Sequence, residues 1–239
     1  MEKIEVKVDP VEGKELVLRT GNAAEIFQYQ GFSYKAHSTD SLIALAIAKG
    51  DPGKSVIAYT ENGIAVILDD TVKDRRQDRI AYGFKFSQQY SEWEPILKGA
   101  QLDQRSLQKF LQRREPGEID EIEKLLAAVQ CLKFAKNISG DSVITDNNNY
   151  TFAIQVGTAE STTKIPQMII VNLEIFNESG LKQAVEIEVE CNLPSRQDEK
   201  VTFSFTCPKL ARYKREAVAN EVDKVKEALA GYLIITGEI

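Results

Sequence analysis

The chain carries a single histidine, which excludes schemes that need two or more imidazoles, including most zinc hydrolase sites. That residue, His37, stands beside Ser38 and Asp40, the residue types of a nucleophile–base–orienter relay. Such relays are made by geometry, and neighbours in sequence rarely face one another, so His37 reads as a residue ahead of a helix cap. The run Gly50-Asp51-Pro52-Gly53-Lys54-Ser55 ends like a phosphate-binding loop. Its glycines are too close together, and it follows a helix and opens a strand where the motif needs the reverse, so it reads as a turn. Asp69 and Asp70 close a strand, and Asp141 and Asp146 flank Ser142–Thr145, as metal-binding carboxylates often do. A magnesium-dependent nuclease needs carboxylates converging from several elements, and no lysine follows either pair at an acid-x-lysine spacing. Glu186, Glu188 and Glu190 alternate along one strand, about 7 Å apart, and the outer face of an amphipathic sheet accounts for them without a cation. Cys131, Cys191 and Cys207 are odd in number and form no CxxC pair, so they read as reduced, mostly buried thiols. No catalytic residue, metal site or cofactor is assigned.

Three basic clusters remain. Arg105, Lys109 and Arg113 recur every fourth residue and share a helix face opposite Leu107 and Leu111, with Arg114 beside them. Lys73, Arg75, Arg76 and Arg79 lie in a loop, and Lys209, Arg212, Lys214 and Arg215 surround Tyr213. Each can reach phosphates, and if they converge they form one surface for an anionic ligand or nucleic acid. Acidic neighbours such as Asp74, Asp78, Glu115, Glu118 and Asp120 dilute that field. Across 239 residues, 30 Lys and Arg against 36 Asp and Glu give a net charge of −6, which argues against wholesale coating of nucleic acid.

The elements that must position these side chains follow from periodicity. Hydrophobic residues make up 43% of the chain, enough for a real core. Residues 1–35 read as short strands or loop. Ser38–Ser41 offers caps for a short buried helix over Leu42–Lys49, followed by a turn at Asp51–Gly53. Ser55–Thr60 and Ile64–Asp69 form a hairpin through Glu61-Asn62-Gly63, and a third strand runs from Ile80 to Phe86. A central helical segment follows: Tyr90–Leu97 with Ser91, Glu92 and Glu94 in its first turn, a helix capped by Asp103, and Ile119–Ala135. Asn149–Gln155 is a strand. Met168–Phe176, Ala184–Cys191 and Val201–Cys207 then alternate apolar and polar residues as an antiparallel meander with one wet face. Its polar loops are Asn177–Gln183 and Asn192–Lys200. Pro208 opens a closing helix whose Val218, Val222, Val225 and Leu229 lay one stripe on the sheet. The fold class is α+β: mainly antiparallel sheets, comprising an N-terminal hairpin with a third strand and a C-terminal meander of three to four strands. The central helical segment and a C-terminal helix complete it. Residues 1–239 read as one domain, in which lobes 1–136 and 137–239 would meet near Asn137–Asp146. The first ten residues hold acids and no apolar run, so no signal peptide is expected. Leu42–Ala48, the longest apolar stretch, is far short of the about 20 residues a membrane span needs.

The order of landmarks resembles the YfdQ-like family of phage and prophage proteins. Those landmarks are Ser38–Ser41 before a short helix, the hairpin Val56–Leu68, Tyr82, and Phe86-Ser87 leading into Glu92-Trp93. The helix with Phe110-Leu111 comes next, then Ile165-Pro166 ahead of three alternating strands that run into Pro208 and the last helix. The likeness covers roughly residues 35–232 and departs at Thr206-Cys207, where such proteins tend to carry a more aromatic last strand. It implies a phage origin and a cytoplasmic, non-structural protein of the infected cell, and it carries no activity to particular residues. The favoured expectation is a non-enzymatic accessory protein that binds a host or phage protein, as a counter-defence or host-takeover inhibitor. The alternative is a nucleic-acid-binding accessory of phage recombination or replication, supported by the strand-strand-strand-helix order at the C-terminal end. A metal-dependent nuclease through Asp69 and Asp70 comes third. No membrane partner is expected, and pairing of sheet edges in a homo-oligomer is left open.

Overall fold

Helix starts in this chain are set by short polar side chains that cap free amides. In the computed structural model, which describes residues 30–72, 78–134, 137–138, 143–145, 149–156, 159–192 and 201–238, α1 spans Thr39–Lys49. Of the expected Ser38–Ser41 caps it is Ser38 whose Oγ accepts the Ser41 amide, at 3.2 Å, so the helix starts three residues before the expected Leu42. Leu42 and Ala46 are buried but Ile47 is 60% exposed, so α1 buries one side only and its open side, with Ala44 and Ala48, is also apolar. The helix α2, Gln88–Leu97, begins earlier than expected because Ser87 is its cap, accepting the Tyr90 amide at 2.9 Å. The expected first-turn residues Ser91, Glu92 and Glu94 therefore sit further along it. Asp103 caps α3, Gln104–Gln112, through the Ser106 amide at 2.7 Å. Ile119 does not open the next helix. It is buried in a bridge to Val171, and α4 spans Ile122–Phe134.

The hairpin is present as β2, Val56–Thr60, and β3, Gly63–Ile67. Its turn is Glu61-Asn62, because Gly63 already pairs with Thr60. Gly63 is fixed by crowding instead: a Cβ there would lie 2.3 Å from the Tyr82 carbonyl oxygen. That carbonyl belongs to β4, Arg79–Gly83, which ends before Phe84 and Phe86, the residues expected to continue it. Of the stretch 1–35, Ser33–Lys35 forms β1, and residues 1–29 lie outside the described residues. Near the other end of the chain, β13, Leu233–Thr236, adds a strand that periodicity did not reveal. The sheet order is β1-β4-β3-β2-β13, with β1 parallel to β4 and β13 parallel to β2.

In the helical segment a two-residue β5, Leu102–Asp103, precedes α3. After α4 come β6, Asn137–Ile138, and β7, Val143–Thr145, both paired with β8, Asn149–Val156. On the other side of β8 lies β9, Ala159–Pro166. The meander is as expected: β10, Met168–Glu174, β11, Lys182–Asn192, and β12, Thr202–Thr206, run antiparallel, with β5 added beyond β12. Ile169, Val171, Leu173, Val185, Ile187, Val189, Phe203 and Phe205 are all buried, the face the alternation assigns inward. Ser204, expected outward, is also buried, and its hydroxyl bonds Glu190 at 3.2 Å.

The closing helix α5, Leu210–Ala228, serves both cores. Leu210 and Tyr213 pack against the meander core, whereas Val222, Val225 and the following Leu229 lie on the five-stranded sheet with Ile57, Val66 and Leu42. All of these elements lie in the unit Gly31–Ile239. Among the described residues no helix is long and apolar enough to cross a membrane.

Candidate functional site

Gly83 ends β4, and the alternation beyond it is spent on a different task. Phe86 pairs with Phe176 in an isolated bridge, supported by Ser87 N to Ile175 O at 2.9 Å and Asn177 N to Lys85 O at 2.8 Å. The Ser87 hydroxyl also donates to the Glu174 carbonyl. This seam brings three phenylalanines together: Phe84 stacks on Phe176 with centroids 4.8 Å apart, and Phe86 stacks on Phe176 at 5.9 Å. Phe86 also leans on Tyr90 at 4.8 Å. Aromatic pairs of this kind contribute about 0.5–1.5 kcal/mol each beyond their burial.

The seam is the floor of a groove of about 800 Å³. One wall is the β2–β3 turn, from Tyr59 to Asn62, with Thr236 at the end of β13; the other is the first half of α5, with Ala211, Lys214, Arg215 and Val218. Lys214 Nζ lies 4.9 Å from the Phe86 ring centre and 5.2 Å from that of Tyr90, within cation–π range. The same ammonium is 3.7 Å from Glu94 Oε1. Arg215 is exposed, and Glu61 is the carboxylate among the lining residues. The floor is apolar and one wall is cationic, which suits a ligand that pairs apolar side chains with carboxylates.

Of the basic residues singled out in the sequence, the structure brings Lys214 and Arg215 to this groove. Arg105 and Lys109 are exposed on α3 and Arg113 at its C-cap, opposite the buried Leu107 and Leu111, and the three do not line the groove. Arg114 is not one of their surface set. Its side chain is 3% exposed, stacks 4.2 Å over Phe110, reaches Glu118 at 3.2 Å and also pairs with Glu92. That guanidinium holds the Glu92 carboxyl below the usual carboxylate range. Lys209 pairs with Glu186 at 2.6 Å and Arg212 with Glu216 at 2.6 Å, both at the surface. The Glu186 carboxyl is lowered by that hydrogen bond and the Lys209 ammonium raised by it. Arg79 is exposed at the start of β4, away from the groove lining, and Lys73, Arg75 and Arg76 lie outside the described residues.

The remaining sequence candidates take structural places. His37 is exposed, while Ser38 is committed to its cap. Gly50–Ser55 is a turn in which Asp51 Oδ1 accepts the Gly53 amide at 3.0 Å and the Ser55 hydroxyl donates to Leu68 O at 2.7 Å. Asp69 Oδ1 accepts the Thr71 amide at 3.1 Å and the Thr71 hydroxyl at 2.5 Å, which makes it a turn residue. Asp141 and Asp146 lie outside the described residues. Among the described residues no group of three or more His, Cys, Asp or Glu side chains is placed to hold a metal ion.

Sequence reasoning missed the phenylalanine seam and two buried glutamates, Glu118 and Glu221, each 2% exposed. Alternation placed Phe84 and Phe86 in a strand, and nothing in the spacing ties them to Phe176. No known protein family, curated protein or solved structure matches the chain.

Proposed function

We propose that this chain is a phage-encoded, non-enzymatic accessory protein that acts in the host cytoplasm by binding a protein partner, as a counter-defence or host-takeover inhibitor. The observation that carries the reading is the groove itself: an apolar floor of Phe84, Phe86 and Phe176 beneath Lys214 and Arg215. The Phe86 ring is stacked on Phe176, tilted against Tyr90 and has the Lys214 ammonium 4.9 Å from its centre, yet it stays 44% exposed, so an apolar side chain of a partner can rest on it beside the two cations. The phage setting is proposed from the order of sequence landmarks alone, which resembles YfdQ-like proteins although no known family matches the chain. Immobilised wild-type protein should retain a stoichiometric partner from host lysate. Lys214→Glu with Arg215→Glu should weaken that retention by about tenfold or more, the scale of a lost charged contact at an interface. If wild type retains no stoichiometric partner, the reading is wrong.

A second reading, nucleic-acid binding in recombination or replication, rests on α3. Arg105, Lys109 and Arg113 are exposed there, while the groove cations stand apart from them. Salt-sensitive binding to single-stranded DNA that disappears when all three become glutamate would favour it, and no binding at low salt would end it.

A further inference from the structure

The meander and the five-stranded sheet treat their outer edges differently. The outer edge of β10 is sealed: the Asp120 amide donates to Ile170 O at 3.0 Å, and the Asn172 amide donates to Glu118 O at 2.7 Å. On the five-stranded sheet, β13 is a terminal strand, and among the described residues no strand pairs with its other side. Natural edge strands are protected by charges, prolines, bulges or covering loops, because a free row of amides and carbonyls recruits further strands. Leu233-Ile234-Ile235-Thr236 holds no charge and no proline, and Leu233 is 58% and Ile235 39% exposed. The opposite edge, β1, carries Lys35.

The two sides of β13 differ in chemistry. Ile234 pairs with the buried Ile57 and faces the core, which puts Thr236 on that same inner side and Leu233 and Ile235 on the outer one. Thr236 lines the groove that holds Arg215 and, at the β2–β3 turn, Glu61; its pair Tyr59 has Lys226 Nζ 5.8 Å from its ring, an ammonium that also pairs with Asp223 at 3.1 Å. A chain laid along β13 would place alternate side chains beside the α5 cations and the others beside exposed Leu233 and Ile235.

We propose that β13 is the docking edge for an extended partner segment in which acidic and apolar residues alternate, added as a further strand to the sheet. The acids meet the cationic inner side and the apolar residues cover Leu233 and Ile235, with main-chain hydrogen bonds supplying the common affinity. This rests on the protein-binding reading of the groove and names the form its partner takes.

The probe is a fluorescein-labelled synthetic peptide of alternating valine and glutamate, about eight residues long to match a typical strand, followed by anisotropy. Wild type should bind it. Peptides N-methylated at either set of alternate residues test the backbone bonds without altering the protein, and at least one set should bind about tenfold or more weakly. Ile235→Lys, a change at an exposed side chain, should cause a comparable loss with an unchanged melting curve. No binding by wild type, or binding indifferent to both N-methylated sets and to Ile235→Lys, overturns the proposal. So does a wild-type dimer that Ile235→Lys converts to monomer, since a second copy would then own the edge. If lysate capture survives Ile235→Lys but is lost on Lys214→Glu with Arg215→Glu, the edge proposal fails and the groove reading stands. If capture fails for wild type, the groove reading fails.

Discussion

The meander and the five-stranded sheet are built by opposite means. β10, β11 and β12 are 7, 11 and 5 residues long, follow one another in the chain and pair antiparallel. The five-stranded sheet takes its flanking strands from far apart, β1 at Ser33–Lys35 and β13 at Leu233–Thr236, and both join in parallel. The meander's outer edge is sealed by main-chain bonds, while the other sheet presents β13 and, at the ends of β2 and β13, the groove. The regular half supplies rigidity, and the assembled half supplies surface. A binding protein needs both, because an ordered frame lowers the entropic cost of presenting a recognition edge.

Each half also buries one glutamate, and the two are held differently. Glu118, beneath the meander, accepts Trp93 Nε1 at 2.6 Å, Arg114 Nη1 at 3.2 Å and the Glu115 amide at 3.0 Å. Glu221, on α5, accepts the Thr39 hydroxyl and lies 3.4 Å from Lys224 Nζ, whose side chain is 36% exposed. Glu118→Ala leaves the buried indole N–H without its acceptor and Arg114 with Glu92 as its remaining carboxylate, and should cost about 2–4 kcal/mol in urea unfolding. Glu221→Ala leaves Lys224 able to reach water and removes chiefly a hydroxyl contact, so about 1–2 kcal/mol is expected. Equal losses would break the comparison, because both halves would then depend on a closed ionic core.

The seam between the halves comes next. Ser87 caps α2 through the Tyr90 amide and donates its hydroxyl to the Glu174 carbonyl, so one side chain starts a helix and fixes Phe86 beside Phe176. Ser87→Ala should cost about 1–2 kcal/mol, at the upper end for a lost cap. It should also weaken partner capture by the groove more than a cap loss elsewhere, such as Ser38→Ala, does. Identical capture by the two alanine variants would mean that the seam does not hold the groove in shape.

How much of this was legible follows from the range of each interaction. Local signals read well: Ser38 and Asp103 as caps, the hairpin, and the alternation of β10, β11 and β12 were found where periodicity put them. Signals that depend on distant pairing did not. β13 is four residues beyond a long helix and becomes a strand by joining β2. Ile119 fits a helix pattern but is drawn to Val171. The groove was half visible, since Lys214 and Arg215 were picked out as cations while their aromatic floor comes from Phe84, Phe86 and Phe176 on separate elements. Glu118 reads from sequence as one of the acids that dilute the basic field, and nothing singles out Glu221, because their partners Trp93 and Thr39 are remote in sequence.

The smallest expected effect is a rate, and it reads closure directly. Cys191 lies on β11 within the meander, and burial pushes its thiol up to about 12. Burial also raises Cys207, whereas Cys131 on α4 is exposed. The thiolate is the reacting form, so at about pH 8 the exposed Cys131 should take up an alkylating reagent first and the half-buried Cys191, with its raised thiol, more slowly. Because the Cys191 value is raised, its thiolate fraction should keep climbing about tenfold per pH unit past the range where an ordinary thiol levels off. Leu233→Cys, at a position 58% exposed on the open edge, supplies the matching reporter in the other half. It should react at the rate of a free thiol in the unbound protein and slow when the alternating peptide is added. A buried Cys207, at the end of the meander, that reacts as fast as Cys131 would show that the meander opens as readily as the edge, and the contrast between the two sheets would lose its basis.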